Sequence, residues 1–276
     1  MYKGIYNLFI LLLAMVLLSC GPERRLAQKY LKENKPGAIL LIAPDFLYKN
    51  SYKIPYIKNF ETLPQEKKDS IAYFTSDVLQ YTQDSIYIKN FMQSLTRGLK
   101  YFGFSVYFNQ PADEFLNKGY ESYILNFVQI QLEEYFDSIS DESSYDSESQ
   151  NYMSLFVTAM NLNNWIEVTK LNHEQYKPKL LYSSQTITDD FNGNFVYYPL
   201  TGKFDYDYVI DSLNVDKLYT ASSELGYKHA QWIFDYILND YIKRNMPPGV
   251  AYDQRFTYDF KNKMLKRLKW QPFQEM

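Results

Sequence analysis

The chain of 276 residues is poor in the residue types that carry most metal and redox chemistry. It has one cysteine, Cys20, and two histidines, His173 and His229. A single cysteine excludes an internal disulfide, and neither histidine has a second ligand at metal-binding spacing. Glycine-rich phosphate loops and the Gly-x-Ser-x-Gly turn of hydrolases are also missing from the sequence. We therefore expect no metal, no cofactor and no catalytic residue set that spacing alone would reveal.

The chain also lacks a large excess of either positive or negative charge. The 29 basic and 32 acidic residues give a net charge of −3, so no basic excess points to nucleic acid. Glu133 and Glu134 are adjacent on a predicted strand and should point to opposite faces, which prevents them from acting as a carboxylate pair. The acidic stretch 141–149 lacks the residue order and the glycine of a calcium loop, and predicts a solvated turn.

Only one long apolar run is present, from Leu8 to Cys20, and it ends in Leu-Leu-Ser-Cys. Lys3 precedes this run, which is short for a bilayer span, so residues 1–19 are predicted to be a secretory signal peptide. The small Ser19 before Cys20 resembles the lipobox of bacterial lipoproteins. The resemblance implies cleavage between these two residues and acylation of Cys20, with more than one acyl chain anchoring the mature protein in the membrane.

The residues after Cys20 bear on the side of the membrane where the protein is located. The abundance of Tyr, Asn, Lys and Ile resembles Bacteroidetes proteins, whose surface-exported lipoproteins often carry an acidic cluster just after the cysteine. Residues 21–25 read Gly-Pro-Glu-Arg-Arg and have no such cluster. The resemblance therefore implies an outer-membrane lipoprotein on the periplasmic side, with the cell surface as the alternative. Residues 20–36 are predicted to form a lipidated tether with one turn of helix.

Aromatic residues are abundant, at 18% of the chain with 28 Tyr and 19 Phe, and they can fill a large core. Residues 37–246 are predicted to form a single domain. Its first part reads as a buried strand at 38–44, an amphipathic helix whose apolar residues run from Ile88 to Phe102, and a strand at 104–108. Gly103 suits the left-handed end of that helix. This order predicts a β-α-β unit.

The second part predicts antiparallel strands followed by a long helix. Strand patterns occur at 122–136, 155–160, 165–169 and 180–187, and a helical pattern extends from Leu218 to Arg244. The helix has an apolar stripe containing Phe234, whereas Gln231, Asp235, Asn239 and Lys243 are expected to face solvent. The fold class is α/β (α+β), with a mixed, largely antiparallel sheet and the long helix packed on one face. Residues 247–276 are predicted to be a basic aromatic tail, either flexible or docked on a membrane or partner.

The element order from residue 38 to 244 resembles a small α/β domain of envelope lipoproteins. That group includes auxiliary lipoproteins of ABC-type transporters, activator lipoproteins of cell-wall synthases and the curli secretion lipoprotein. The matching segments are Ala38–Pro44, the helix Ile88–Gly103 leading into Phe104–Phe108, and Leu218–Arg244. The resemblance implies a non-catalytic accessory or scaffold with an envelope protein as its partner.

Two other functions stay open. A lipoprotein that binds a glycan or small ligand through its Tyr-rich loops could stack sugars on Trp165, Trp232 or Trp270. Core packing is the other interpretation for Trp165 and Trp232, while Trp270 in the basic tail is expected to be exposed. A hydrolase is the third hypothesis. A scaffold should expose an apolar patch, a glycan binder an aromatic platform, and an enzyme convergent charged groups in a cleft.

Overall fold

The computed structural model describes residues 21–33, 37–53, 59–108, 115, 121–143, 151–171 and 177–276. The described helices are α1 Pro22–Glu33, α2 Gln65–Phe74, α3 Asp84–Tyr101 and α4 Val215–Arg244, with short 3₁₀ turns at Phe60–Thr62 and Leu79–Tyr81. The strands are β1 Ala38–Ile42, β2 Tyr48–Ser51, β3 Ser105–Phe108, β4 Ser122–Ser143, β5 Asn151–Lys170, β6 Lys179–Thr188, β7 Asp190–Tyr198, β8 Lys203–Asp211, β9 Phe256–Asp259, β10 Met264–Arg267 and β11 Gln274–Glu275. The predicted fold class is confirmed.

A mixed seven-stranded sheet has the order β11-β6-β5-β4-β1-β3, and β2 pairs with a later part of β4. Strand β1 runs parallel to β3 and β4, as the β-α-β prediction requires, because parallel strands need a crossover connection. Gly103 follows α3 with a φ of 96°. Strands β4, β5 and β6 form the predicted antiparallel meander, and the two predicted segments 155–160 and 165–169 are one strand.

Helices α3 and α4 pack together against one face of the sheet, which we call the helix face. Its core contains apolar residues of β4 and β5 such as Ile130 and Ile166, together with Phe91 of α3. The two helices approach so closely that any side chain at Gly226 would collide with the backbone carbonyl of Phe91. Phe234 is buried, as expected, and its ring contacts those of Tyr30, Phe102, Phe104, Tyr258 and Phe260.

The expectation that Gln231, Asp235 and Asn239 of α4 face solvent is wrong. The hairpin of β9 and β10 covers this side of the helix. The Thr257 hydroxyl and the Tyr258 N–H donate to the Asp235 carboxylate, at 2.7 and 3.3 Å. Asp235 is only 3% exposed as a result. Polar residues at helical spacing therefore do not show that a helix face is exposed to solvent, because a later segment can cover them and supply their hydrogen-bond partners.

Both ends of the described chain pack on α4. The predicted tail 247–276 contributes the hairpin and β11, which pairs with β6, and Phe273 is buried against the rings of His229 and Trp232. Helix α1 has 12 residues rather than one turn. Its Tyr30 ring lies 5.1 Å from that of Tyr241. Ser19 and Cys20 lie outside the described residues. Within the described part of the chain, no helix is long and apolar enough to cross a bilayer.

Candidate functional site: the open face of the sheet

The other face of β4, β5 and β6 presents a grid of polar and aromatic side chains, which we call the open face. The strand register sets three rows across the sheet. They are Gln129–Trp165–Tyr182, Gln131–Asn163–Ser184 and Glu133–Asn161–Thr186. Strand β2 extends the last two rows with Tyr48 and Asn50. At the usual spacings between strands and residues, the four-strand grid measures roughly 14 by 14 Å.

Alternation along the strands separates this grid from the core. Ile130 and Leu132 on β4, like Leu162 and Ile166 on β5, are buried on the helix face. The grid residues between them are largely part-exposed, and Ser184 and Thr186 are exposed. The same three strands therefore have one buried apolar face and one face of hydrogen-bonding side chains.

The adjacent carboxylates Glu133 and Glu134 follow this division, as predicted. Glu134 is fully buried and lies 2.9 Å from the Lys53 ammonium on the helix face. It also accepts the backbone N–H groups of Asp77, Val78 and Leu79. Glu133 is part-exposed on the open face. The two carboxylates therefore do different work: Glu134 holds the loop before the second 3₁₀ turn against β4, and Glu133 belongs to the grid.

A series of side-chain hydrogen bonds runs along β4 and ends at Glu133. Gln129 Nε2 donates to Gln131 Oε1 at 2.7 Å, and Gln131 Nε2 donates to Glu133 Oε1 at 2.8 Å. Asn161 Nδ2 reaches the other oxygen of Glu133 at 3.5 Å. An ionised carboxylate can only accept hydrogen bonds, so Glu133 fixes the direction in which these three amides point.

The remaining contacts on the open face extend this network to β6. Asn161 Oδ1 accepts the hydroxyls of Thr186 and Tyr135, at 2.7 and 3.3 Å. The Tyr182 hydroxyl donates to Asn163 Oδ1 at 2.9 Å. Each amide nitrogen carries two hydrogens, so a donating amide keeps one for a ligand. The grid is thus a pre-oriented array of donors and acceptors.

Trp165 and Tyr182 form the aromatic corner of the grid. Their ring centroids are 4.9 Å apart with an angle of 43° between the planes, and both rings are part-exposed. Core packing is therefore the wrong interpretation for Trp165, since its neighbour Ile166 occupies the core instead. Tyr48 at the other edge of the grid is 45% exposed. Rings with an apolar surface and a polar tip suit ligands that are partly apolar and partly polar.

The structure places Trp165 apart from the other two candidate tryptophans, Trp232 and Trp270. Trp270 is 64% exposed, as expected, but its ring lies edge-on to that of Trp232, with centroids 6.3 Å apart. Trp232 belongs to α4, on the helix side of the sheet, and packs against His229 and Phe273. Trp165 points to the opposite side. Trp165 and Trp270 therefore cannot form one site in this structure.

The structure also pairs a serine with a histidine, which the sequence did not indicate. His229 Nδ1 donates to the Leu225 carbonyl at 2.9 Å, so Nε2 accepts the Ser183 hydroxyl at 2.8 Å. Both side chains are buried, and burial lowers the pKa of His229 to about 4. The pair lies among the core rings of Phe91, Phe127 and Phe273, where it links β6 to α4. His173 lies outside the described residues.

Several grooves lie on the helix side of the molecule, and two of them combine charged with apolar or aromatic side chains. One follows α3 and carries Lys89, Arg97 and Lys100 above an apolar floor that includes Met92. The other separates α4 from the C-terminal segment and includes Trp232 and Tyr252. Among the described residues, no group of three or more His, Cys, Asp or Glu side chains is placed to hold a metal ion. The open face differs from these grooves because it lies on regular strands, with hydrogen bonds that join its side chains to one another.

Comparisons with known proteins add little to this geometry. No protein-family model and no curated protein matches the chain. Among solved structures, one similar chain is a Helicobacter pylori homolog of a neuraminyllactose-binding hemagglutinin, with 12% sequence identity. The alignment covers 77% of this chain and 95% of that one, with a TM-score of 0.35. A TM-score this low supports no inference about function.

Proposed function

We propose that the protein is a lipid-anchored envelope protein that binds a glycan on the open face of its sheet. The observation that carries the proposal is the grid itself, in which amides, hydroxyls and one carboxylate lie beside the Trp165–Tyr182 pair. A polyhydroxylated ligand offers many donors and acceptors together with apolar ring faces. Both kinds of group find a counterpart within this one surface.

The pre-formed hydrogen bonds support binding of such a ligand. Because Glu133 already orients the amides of Gln129, Gln131 and Asn161, a ligand would not have to order them. Ordering flexible side chains on binding costs about 0.5–1.5 kcal/mol for each one, so pre-orientation favours affinity. The position on regular strands rather than on loops adds rigidity.

The proposed anchor is Cys20, acylated after removal of residues 1–19. Support comes from the lipobox resemblance and from the position of α1, which starts at Pro22, two residues after Cys20. Contacts between Tyr30 and the rings of Phe234 and Tyr241 hold α1 on the second half of α4. The anchor would therefore keep the domain close to the bilayer rather than at the end of a long tether. We place the domain on the periplasmic side of the outer membrane, with the cell surface as the alternative.

Glycan retention by the full-length lipoprotein in detergent micelles tests the binding function. Immobilised neutral and acidic polysaccharides should retain the wild-type protein on at least one matrix, and Trp165→Ala should weaken that retention. Trp270→Ala is the matched control, because it removes an exposed tryptophan from the other side of the molecule and should leave retention unchanged. Equal losses in both variants, or no retention on any matrix, would overturn the proposal.

Fractionation of the producing cells tests the anchor. Cys20→Ser should abolish incorporation of labelled fatty acid and release the protein from the outer-membrane fraction. Protease added to intact cells should leave the wild-type domain whole if it faces the periplasm. Digestion with periplasmic control proteins still intact would place it on the cell surface instead.

A second candidate function is the accessory role in an envelope complex, and one observation favours it. The β7–β8 hairpin is a separate two-stranded sheet, and it exposes Tyr198, Leu200 and Val209. Leu200 at its turn is fully exposed. Tyr198 and Leu200 lie together at the turn end of the hairpin, and adjoining exposed apolar groups can mark a protein contact. A photo-crosslinker at position 200 should capture one envelope protein in living cells if this role is correct.

A further inference from the structure

The open face carries acidic side chains and no basic ones among the described residues of β2, β4, β5 and β6. Glu133 lies within the grid, and Glu167 lies two residues beyond Trp165 on the same side of β5. Strand β4 contains no lysine or arginine at all between Ser122 and Ser143. The electrostatic character of the open face is therefore negative.

Each lysine of the other three strands is placed on the helix face. Lys49 of β2 pairs with Asp84 at 2.6 Å, and Lys170 of β5 pairs with Glu121 at 2.8 Å. The Lys179 ammonium of β6 lies 6.0 Å from the centre of the Tyr236 ring of α4. The alternation of the strands thus sends every positive charge to one side. Nothing positive is left among the grid rows to receive a carboxylate, sulfate or phosphate.

Glu133 is the carboxylate that belongs to the grid itself. Its two oxygens accept from Gln131 and Asn161, so its negative charge lies within the hydrogen-bonded row next to β2, on the surface that a ligand would cover. An anionic sugar placed on the grid would face this charge at short range. Like charges brought together at an interface are strongly unfavourable and exclude the wrong ligands.

We propose that the open face selects uncharged oligosaccharides against anionic ones and that Glu133 is the residue that sets this selectivity. This inference rests on the proposed glycan-binding function and adds the chemical class of the ligand. Because Glu133 also orients the amides, it acts both as a positioning residue for them and as a barrier to acidic sugars.

The test measures affinities of the full-length lipoprotein in detergent micelles for matched pairs of polysaccharides. Dextran, mannan and xylan are each compared with their carboxymethylated forms, which keep the backbone and add negative charge. We expect at least one neutral member to bind and its carboxymethylated form to bind about tenfold more weakly at low salt. The difference should shrink at high salt, because salt screens charges near the surface.

Glu133→Gln keeps the shape of the side chain and removes its charge. It should therefore narrow the affinity gap between the neutral and the carboxymethylated polysaccharide by about threefold or more. Glu224→Gln removes an exposed carboxylate from α4 and is the matched control, for which the gap should stay unchanged. Thermal unfolding checks that both variants fold. Equal or tighter binding of the carboxymethylated form would overturn the inference while leaving glycan binding intact. A gap unaffected by Glu133→Gln would overturn the role of Glu133, and failure to bind any polysaccharide would overturn both proposals.

Discussion

The two faces of the sheet use polar residues in opposite ways. On the helix face, polar side chains are buried and hold elements together: Glu134 receives Lys53 and three backbone N–H groups, and His229 receives Ser183. On the open face, polar side chains bond mainly to one another and keep part of their hydrogen-bonding capacity. The same strands therefore serve stability on one side and, in our proposal, recognition on the other.

Neighbouring residues on one strand provide matched pairs for separating these two roles. Glu133 and Glu134 share a residue type and differ in the face they occupy, and so do Ser183 and Ser184. A substitution on the helix face should lower stability, whereas the matched substitution on the open face should change stability little. Each such pair tests the comparison without a change of strand or of chemistry.

The largest effect is expected for Glu134→Ala. It removes the buried one of the two carboxylates that pair with Lys53, the other being the more exposed Asp77, and it leaves three backbone N–H groups without an acceptor. Breaking a buried ion pair costs about 3–5 kcal/mol. Glu133→Ala should cost less than about 1 kcal/mol, because its contacts are part-exposed. Chemical denaturation of both variants gives the two free energies of unfolding. Similar losses would contradict the division between the faces.

The second effect is a dependence of stability on pH, which comes from Asp235 on the side of α4 that the β9–β10 hairpin covers. Burial raises the pKa of Asp235 to about 7, although Thr257, Tyr258 and Gln231 donate to it. Because the folded-state pKa is raised, its stabilising contribution is complete below about pH 4 and is lost as the pH rises through 7. A tenfold change in a proton-binding constant corresponds to about 1.4 kcal/mol.

Asp235→Asn removes this titration while keeping the shape of the side chain. The stability of wild type relative to Asp235→Asn should therefore fall by a few kcal/mol, in order of magnitude, between pH 5 and pH 8. Urea denaturation across this range measures the difference in the free energy of unfolding. The other titratable groups are the same in both proteins, so their contributions cancel. A difference that does not change with pH would show that Asp235 is not buried as the structure has it.

A smaller effect is expected for Ser183→Ala. The substitution leaves His229 Nε2 without its hydrogen-bond donor in the core, and an unsatisfied buried polar group costs about 1–3 kcal/mol. Ser184→Ala on the open face should change the free energy of unfolding by about 0.5 kcal/mol or less. Denaturant midpoints for the two variants make the comparison. A greater loss in Ser184→Ala would reverse the assignment of the faces.

Much of the fold could be predicted from local sequence patterns. The apolar run at 38–44, the stripe from Ile88 to Phe102 and the alternating strands each specify an element by its own periodicity. The opposite orientation of Glu133 and Glu134 follows from the same rule. The position of Trp165 was available too, because Ile166 and Val168 define the buried side of β5 and Trp165 has the other parity.

Long-range partners were beyond the reach of these patterns. Asp235 and Asn239 have the spacing of a solvated helix face, and only the hairpin about 20 residues later shows that their partners are Thr257, Tyr258 and Phe256. Likewise, the grid depends on the register of three strands and on β2 returning beside β4. Sequence spacing gives the residues of one strand but not which rows they share across the sheet.

Hydroxyl-radical footprinting tests the central claim most directly, because it locates a bound glycan on the protein. The full-length lipoprotein is oxidised with and without the polysaccharide that it retains best, and the rate at each aromatic side chain is measured. Our account predicts protection of Trp165, Tyr182 and Tyr48, with unchanged rates at Trp270 and Tyr198. Protection of Trp270 or Tyr198, with Trp165 and Tyr182 still fully reactive, would contradict it.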